Sequence, residues 1–248
     1  MTTSLGIPLN NICRVYWGSH GCQLERGHEG TCECSCCMCD NEHTHEPDLT
    51  KPYIYVPLHM QPEATTCPMG GVFADQVKMV ELLAAYLPPT IRIYIKEHPY
   101  QTEVCRSKTF YQQLLDIPSI TFVPRNCNTF TLAENALAVA SVTGTAGFEG
   151  IFKRIPFLMF GHKFFQYAPG VFRIHTKDDC KNAIQTIMED KNAKPTINDL
   201  RLYLKAIELT GTPYVGLQDS PITKRSKDEK AKLMGIKIAE KLQPYLTR

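Results

Sequence analysis

The sequence has no long hydrophobic run and almost no net charge. Its longest apolar stretches are about 5 to 7 residues, well short of the ~20 that a helix needs to cross a bilayer. The formal net charge is only +2, so no overall field favours nucleic acid or an anionic membrane. Residues 1–10 have neither a basic n-region nor an apolar h-region, which argues against a signal peptide. We therefore expect a cytoplasmic protein with no membrane span and no nucleic-acid partner.

Two widespread motifs are also missing. The sequence contains no G-x-G-x-x-G dinucleotide fingerprint and no H-E-x-x-H zinc-hydrolase motif. The first absence excludes the standard phosphate loop of NAD- and FAD-binding proteins. The second makes a zinc-dependent hydrolase a poor interpretation, and the cysteine-rich cluster described next resembles a closed metal site rather than an open catalytic one.

Cysteine is abundant but unevenly distributed. Seven of the 11 cysteines lie between Cys13 and Cys39, and without a secretion signal such a cluster favours metal over disulfides. A closed four-ligand zinc site can fold a peptide that is too small for a core. We therefore predict a structural zinc-binding segment over residues 1–48, with the preferred ligands Cys22, His28, Cys32 and Cys34. A second site could use Cys36, Cys37, Cys39, His43 and His45, and the alternatives are a disordered thiol-rich tail or, if exported, a disulfide knot.

From residue 52 onward, short apolar runs alternate with longer amphipathic ones. The apolar runs predict strands at residues 53–58, 91–95, 120–123, 138–142, 157–160 and 171–174. The amphipathic stretches predict helices near residues 73–87, 109–115, 128–137, 146–154, 177–188, 199–209 and 227–246. Alternation at this interval is typical of βαβ units. We therefore predict an α/β domain over residues 52–248, with a Rossmann-like, open, mostly parallel sheet and helices on both faces.

Sheets of this kind bind ligands beyond the carboxyl ends of their strands, where loops lead into helices. The loop at residues 59–71 contains two adjacent hydroxyls, Thr65 and Thr66, and two adjacent glycines, Gly70 and Gly71. Backbone amides can approach an anion closely at such glycines, so the loop suits a phosphate. The alternative is an ordinary long surface loop.

The loop after the second predicted strand presents a histidine. His98 precedes Pro99, which fixes the turn, and its ring can donate a hydrogen bond or a positive charge to a phosphate oxygen. Lys96 and Arg106 could add positive charge. A simple turn histidine is the alternative.

The loop at residues 161–167 is polar and aromatic and could close over a base or a sugar.

The loop after the fourth predicted strand is rich in small residues. It runs from Ser141 through Gly144 into a helix on which Thr145 and Glu149 lie one turn apart. Amides of the first turn could hold a phosphate, and the carboxylate could accept hydrogen bonds from a ribose diol. Alternatively, the small residues only permit close packing of strand and helix, and Glu149 is solvated.

Taken in order, these loops resemble those of bacterial capsule polysaccharide biosynthesis glycosyltransferases of the two-lobed GT-B fold, including Kdo-transferring types. The matching segments are PLHMQPEATTCPMGG at 57–71, KEHP at 96–99, TGTAGFE at 143–149 and the strand at 156–161. The resemblance covers residues 53–190, all in the donor-binding C-terminal lobe. It implies that a nucleotide-sugar donor, linked through CMP or UDP, is bound here and that its sugar is transferred without a catalytic metal to a saccharide or lipid-linked acceptor.

The resemblance also implies roles for individual residues. His98 and the loop at 143–145 would hold the donor phosphate, and Glu149 would hold the nucleotide. The candidate catalytic residues are His98 and Glu63. The candidate donor-binding residues are Lys96, Thr65, Thr66, Gly70, Gly71, Thr143, Gly144, Thr145 and Glu149.

The chain departs from the GT-B pattern in its N-terminal part. Only about fifty residues precede the first strand, whereas GT-B enzymes have an acceptor-binding lobe comparable in size to the donor lobe. Three interpretations follow. Another chain supplies the acceptor lobe, or the protein is a non-catalytic nucleotide-sugar-binding module whose zinc segment docks on a partner, or the lobe has been reused.

Overall fold

The computed structural model describes residues 44–101, 106–190, 193–211 and 226–246. Within these ranges the strands are β1 Tyr53–Pro57, β2 Arg92–Lys96, β3 Ile120–Val123, β4 Ala138–Ser141, β5 Phe157–Met159 and β6 Val171–Arg173. The α-helices are α1 Gln76–Tyr86, α2 Lys108–Leu115, α3 Thr129–Glu134, α4 Thr145–Ile151, α5 Lys177–Glu189, α6 Ile197–Thr210 and α7 Lys227–Leu246.

The six strands form one sheet in the order β3-β2-β1-β4-β5-β6. Every neighbouring pair is parallel, so the predicted Rossmann-like α/β fold is confirmed. The chain builds outward from β1 to β3, then crosses back to place β4 on the other side of β1. The strand order therefore reverses between β1 and β4, and this switch point is where open parallel sheets form a ligand crevice.

Side chains of β1 alternate between two buried layers. Ile54 and Val56 belong to the apolar cluster that also contains Val80 and Leu83 of α1. Tyr53 faces the opposite layer, where its hydroxyl donates to the carbonyl of Leu132 in α3 at 2.8 Å. Successive strand residues point to opposite faces, so a strand with helices on both sides is buried on both faces. Residues 53–56 of β1 are accordingly at most 1% exposed.

The first helix starts later than its apolar spacing predicts. The pattern places Phe73 on the helix, but α1 begins at Gln76, and Phe73 lies in a 3-10 turn, Gly71–Ala74. The Asp75 side chain accepts a hydrogen bond from the N–H of Val77 at 3.2 Å and so caps the helix. Gly71 has a φ of 52°, a left-handed conformation that suits glycine.

The chain divides into two compact units, Met1–Leu200 and Arg201–Arg248. In the second unit, the Lys241 ammonium donates to the carbonyl of Thr210 at 3.3 Å, which joins α7 to the end of α6. Apolar side chains of α7 include Ile238 and Leu242, which are 52% and 50% exposed. The predicted domain boundary between residues 48 and 52 stays a prediction.

The predicted zinc ligands Cys22, His28, Cys32 and Cys34 lie outside the described residues, so the zinc site also stays a prediction. In the described ranges, no group of three or more His, Cys, Asp or Glu side chains is placed to hold a metal ion.

None of the helices in these ranges has both the length and the apolar character required to span a membrane.

Two glycines of α4 differ in the space around them, and this predicts opposite effects of alanine. A Cβ added at Gly147 would lie 2.3 Å from ring carbons of the buried Phe157, whereas one added at Gly150 would lie no closer than 3.5 Å to Val139. We expect Gly147→Ala to lower the free energy of unfolding by about 1 to 3 kcal/mol through overpacking. Gly150→Ala should be neutral or stabilising by up to about 1 kcal/mol, because alanine favours the helix.

Urea denaturation of the two variants and the wild-type protein measures this difference directly. Both substitutions add the same methyl group to the same helix, so helix propensity is matched and only the packing differs. Equal stabilities of the two variants would show that Phe157 can move aside and that the close packing of α4 on β5 is not constraining.

Candidate functional site

The four loops singled out in the sequence follow β1, β2, β4 and β5. Because all six strands are parallel, these loops lie at the same edge of the sheet. The loops after β1 and β4 flank the switch point itself. The structure therefore brings the predicted segments 59–71, 96–99 and 143–149 to one edge, although not every predicted side chain points outward.

His59 joins the loops that flank the switch point. Its Nε2 accepts a hydrogen bond from the N–H of Thr143 at 3.0 Å and lies 2.9 Å from the hydroxyl oxygen of Ser141. Since a backbone N–H can only donate, Nε2 carries no proton and the ring proton lies on Nδ1. Nδ1 is 3.5 Å from the hydroxyl oxygen of Thr65. His59 thus connects the end of β1 with the loop after β4 in a single defined tautomer.

The His59 ring is neutral at physiological pH. Burial lowers its pKa from 6.5 to about 4; Glu63 opposes this shift, and His98, Arg106 and Lys163 add to it. The side chain is only 8% exposed, which is consistent with desolvation as the main cause. Charged groups from three different loops therefore act on this one ring.

His98 is half-buried and also has a defined tautomer. Its Nδ1 accepts a hydrogen bond from the N–H of Tyr100 at 3.2 Å, so the ring proton of the neutral form lies on Nε2. Burial lowers the pKa of His98, while Glu97 and Glu63 raise it and Arg106 and Arg125 lower it further. The neutral ring keeps an Nε2–H that can donate to a ligand, as the sequence predicts for a phosphate oxygen.

Two cations act on these histidines from neighbouring loops. Lys163, in the loop after β5, lowers the pKa of His59, and Arg125, after β3, lowers that of His98. Among the described residues the Lys163 ammonium has no hydrogen-bonding or ionic partner. Glu63, an exposed carboxylate, acts on both rings. We call His59, Glu63, His98, Arg125 and Lys163 the switch-point cluster.

Two predicted donor-binding threonines are buried and have structural hydrogen bonds. The Thr66 hydroxyl donates to the carbonyl of Glu63 at 2.8 Å, and that of Thr143 donates to the carbonyl of Thr65 at 2.6 Å. The Thr143 N–H, expected to meet a phosphate, donates to His59 instead. These hydrogen bonds stabilise the conformation of the loops that bear the switch-point cluster. Thr145 and Glu149 are exposed, one turn apart at the start of α4.

Two of the three predicted glycines, Gly70 and Gly144, permit close contacts within the loops after β1 and β4, whereas nothing lies within 4 Å of a Cβ added to Gly71. A Cβ on Gly70 would lie 2.6 Å from the carbonyl oxygen of Thr66, and one on Gly144 would lie 2.7 Å from the hydroxyl oxygen of Ser141. Both distances are shorter than a van der Waals contact, so neither position has room for a Cβ atom. We infer that these glycines are needed for loop packing around His59, whether or not they contact a ligand.

Two predicted cations are engaged elsewhere. The Lys96 ammonium donates to the carbonyl of Cys127 at 2.6 Å and to the Thr129 hydroxyl at 2.9 Å, between β3 and α3. Burial lowers its pKa. Arg106 is buried against Glu97, with Nη1 2.6 Å from Oε1, so its charge is neutralised within the protein. Neither residue is a free phosphate ligand in this structure.

A family model described as "Capsule polysaccharide biosynthesis protein" matches residues 40–214. The chain belongs to this family. The resemblance inferred from the loops is thereby confirmed at the level of the family. No curated protein matches the sequence.

Solved structures similar to this capsule family member include two UDP-GlcNAc 2-epimerases. The enzyme from Methanocaldococcus jannaschii is 13% identical with a TM-score of 0.45, and the match covers 64% of this chain and 46% of that one. The enzyme from Neisseria meningitidis is 13% identical with a TM-score of 0.39, covering 64% and 44%. KpsC of Thermosulfurimonas dismutans, a β-Kdo 2,7 transferase, is 18% identical with a TM-score of 0.44, covering 63% and 46%. The chain spans just under half the length of each.

Three members of the switch-point cluster in this capsule family member have no role predicted from the sequence, namely His59, Arg125 and Lys163. The sequence does contain a pattern that indicates His59, because this residue follows the carboxyl end of β1 in the same way that His98 follows the carboxyl end of β2. Lys163 lies in the loop after β5, the one to which sequence reasoning gave the least weight. The position of Arg125 close to His98 depends on the β2–β3 pairing and has no local sequence signal.

Proposed function

We propose that the chain is the donor-binding part of a capsule polysaccharide glycosyltransferase, and that it binds a nucleotide sugar linked through CMP or UDP. The observation that carries this proposal is the switch-point cluster itself, which lies where open parallel sheets bind ligands, in a chain of the capsule biosynthesis family. Three members of the cluster carry a donor group or a positive charge suited to a phosphate, namely His98, Arg125 and Lys163.

The chemistry follows from these groups. In glycosyl transfer from a nucleotide sugar, the oxygen of the acceptor hydroxyl forms a bond to the anomeric carbon while the bond between that carbon and the phosphate oxygen breaks. Negative charge develops on the leaving phosphate. The Nε2–H of His98 would donate to that phosphate, and the Lys163 ammonium would neutralise it. Fixed donors of this kind stabilise charge without reorganising during the reaction. The transfer we propose therefore relies on side chains rather than on a catalytic metal.

The exposed carboxylates have separate proposed roles. Glu149 lies on α4 and would accept hydrogen bonds from the ribose hydroxyls of the nucleotide. Glu63 acts electrostatically on both His59 and His98, which makes it the candidate carboxylate at the reacting centre, where it would accept the proton of the acceptor hydroxyl.

The acceptor side of the reaction is supplied from outside the described residues in this proposal. The chain spans 46% of the KpsC structure that it matches. We propose that a saccharide or lipid-linked acceptor is held by a lobe on another chain or segment.

Thermal-shift measurements on the full chain with CMP, UDP and their sugar conjugates test the proposal. At ten times its Kd, a nucleotide should add about 1.4 kcal/mol to the stability of the folded state. We expect His98→Ala and Lys163→Ala to remove most of the shift, because each loses a group proposed to contact the phosphate. Lys181→Ala, which replaces an exposed lysine on α5, is the matched control and should retain the shift. Absence of a shift with every nucleotide and nucleotide sugar would refute the proposal.

A further inference from the structure

A buried ion pair lies directly behind the two histidines of the switch-point cluster. Glu97 and Arg106 are 2% and 4% exposed, and Arg106 Nη1 donates to both carboxylate oxygens. The hydroxyl of Tyr111 in α2 donates to Glu97 Oε2 at 2.7 Å. The carboxylate is thus held by two side chains, from positions that lie 9 and 14 residues further along the chain.

The same pair binds the main chain at both histidines. Glu97 Oε1 accepts a hydrogen bond from the N–H of His98 at 2.6 Å. Arg106 Nη2 donates to the carbonyl of His59 and lies 3.3 Å from Gln61 Oε1. The charged pair therefore connects the loops after β1 and β2, in addition to the backbone hydrogen bond from Leu58 to Lys96 and the two hydrogen bonds between Gln61 and Gln101.

The side chain of Gln76 also forms hydrogen bonds with the main chain of His59. Its Oε1 accepts from the N–H of His59 at 2.8 Å, and its Nε2 donates to the carbonyl of His59 at 3.3 Å. With Arg106 on the same carbonyl, both main-chain polar groups of His59 are satisfied by side chains. This arrangement leaves the imidazole as the only part of His59 directed toward the loop after β4.

We propose that Glu97, Arg106 and Tyr111 are positioning residues, which fix His59 and His98 relative to each other so that His98 meets the donor phosphate. This inference rests on the proposed function. A buried ion pair is a poor source of stability compared with apolar side chains of similar size, but it provides directional hydrogen bonds to two separate loops, which apolar side chains cannot.

Two variants test the proposal at different strengths. Glu97→Gln removes the charge while keeping the shape of the side chain, and Tyr111→Phe removes one hydrogen bond and leaves the ion pair intact. We expect Glu97→Gln to weaken binding of CMP or UDP, whichever binds the wild-type protein, by about tenfold or more, since displacing a positioned group by 1 Å can cost about a hundredfold. Tyr111→Phe should give a smaller loss in the same direction.

The second readout needs no nucleotide. Nitrogen-15 NMR of the histidine rings in the ligand-free protein reports which nitrogen carries the proton, and the structure assigns Nδ1 for His59 and Nε2 for His98. In Glu97→Gln the His98 ring should become a mixture of tautomers, because the turn that brings the Tyr100 N–H to Nδ1 loses its support. A merely stabilising role would leave these tautomers unchanged. Glu134→Gln, which alters the exposed pair with Lys153, is the matched control.

The outcomes separate the two proposals. If wild-type protein binds no nucleotide, the proposed function fails, while the NMR comparison still decides whether the ion pair orients His98. If Glu97→Gln does not fold, Tyr111→Phe decides the question. Wild-type affinity together with unchanged ring tautomers in the folded variants would overturn the positioning role.

Discussion

Replacing Arg106 with methionine is expected to lower the free energy of unfolding by about 3 to 5 kcal/mol. The methionine fills much of the same volume but leaves the Glu97 carboxylate without its counter-charge, in a position where Glu97 is only 2% exposed. The carbonyl of His59 also loses a donor. An uncompensated buried charge is costlier than the loss of one hydrogen bond, so this substitution should be among the most damaging in the domain.

Urea unfolding at pH 7 measures this loss, and an exposed ion pair supplies the control. Lys153 lies 3.1 Å from Glu134, with side chains 60% and 45% exposed. Lys153→Met should cost less than about 1 kcal/mol because water solvates the remaining carboxylate. Adding Glu97→Gln to Arg106→Met should restore part of the lost stability, since the amide needs no counter-charge. A cost for Arg106→Met no larger than that of the control would contradict the buried-charge explanation.

Most of the fold was predictable because its elements have distinct periods. The runs at 53–58 and 91–95 are short and β-branched, the stretches between them repeat every three to four residues, and such alternation leads to a parallel sheet. The ends of elements were less predictable. Phe73 has helical spacing, but the side chain of Asp75 competes for the first free N–H groups and moves the start of α1 to Gln76.

The edge of the sheet that bears the candidate site was also predictable, since parallel strands bring their carboxyl ends together. The partners of individual side chains were not. Arg106 is a cation in the sequence, yet it turns inward to a carbonyl 47 positions earlier, and the Thr143 hydroxyl bonds a carbonyl 78 positions earlier. Such pairings depend on the relative placement of several loops, and no local pattern encodes them. The sequence therefore predicts that these loops lie at the carboxyl ends of the strands, where the structure has them, but it does not distinguish exposed side chains from those that hold the loops together.

His59 is expected to make the protein less stable in mild acid. Burial lowers its pKa from 6.5 to about 4 in the folded state, while in the unfolded chain the ring is solvated. Above pH 6.5 the ring is neutral in both states and the stability is at its full value. As the pH falls from 6.5 to 4, only the unfolded chain takes up the proton, so unfolding becomes progressively more favourable. Because one pKa unit corresponds to about 1.4 kcal/mol, the loss reaches about 3 kcal/mol and ends below pH 4.

His59→Gln isolates this contribution, because glutamine keeps an acceptor near the N–H of Thr143 but does not titrate. The wild-type protein should be more stable than the variant at pH 7, and the difference should narrow by about 3 kcal/mol as the pH falls to 4. Unfolding free energies measured at intervals between these limits give the curve directly. His98→Gln provides a comparison at a less buried histidine. The difference in unfolding free energy between wild type and His98→Gln should narrow less as the pH falls, since His98 is only half-buried. A difference between wild type and His59→Gln that does not change with pH would mean that the ring is protonated equally in both states.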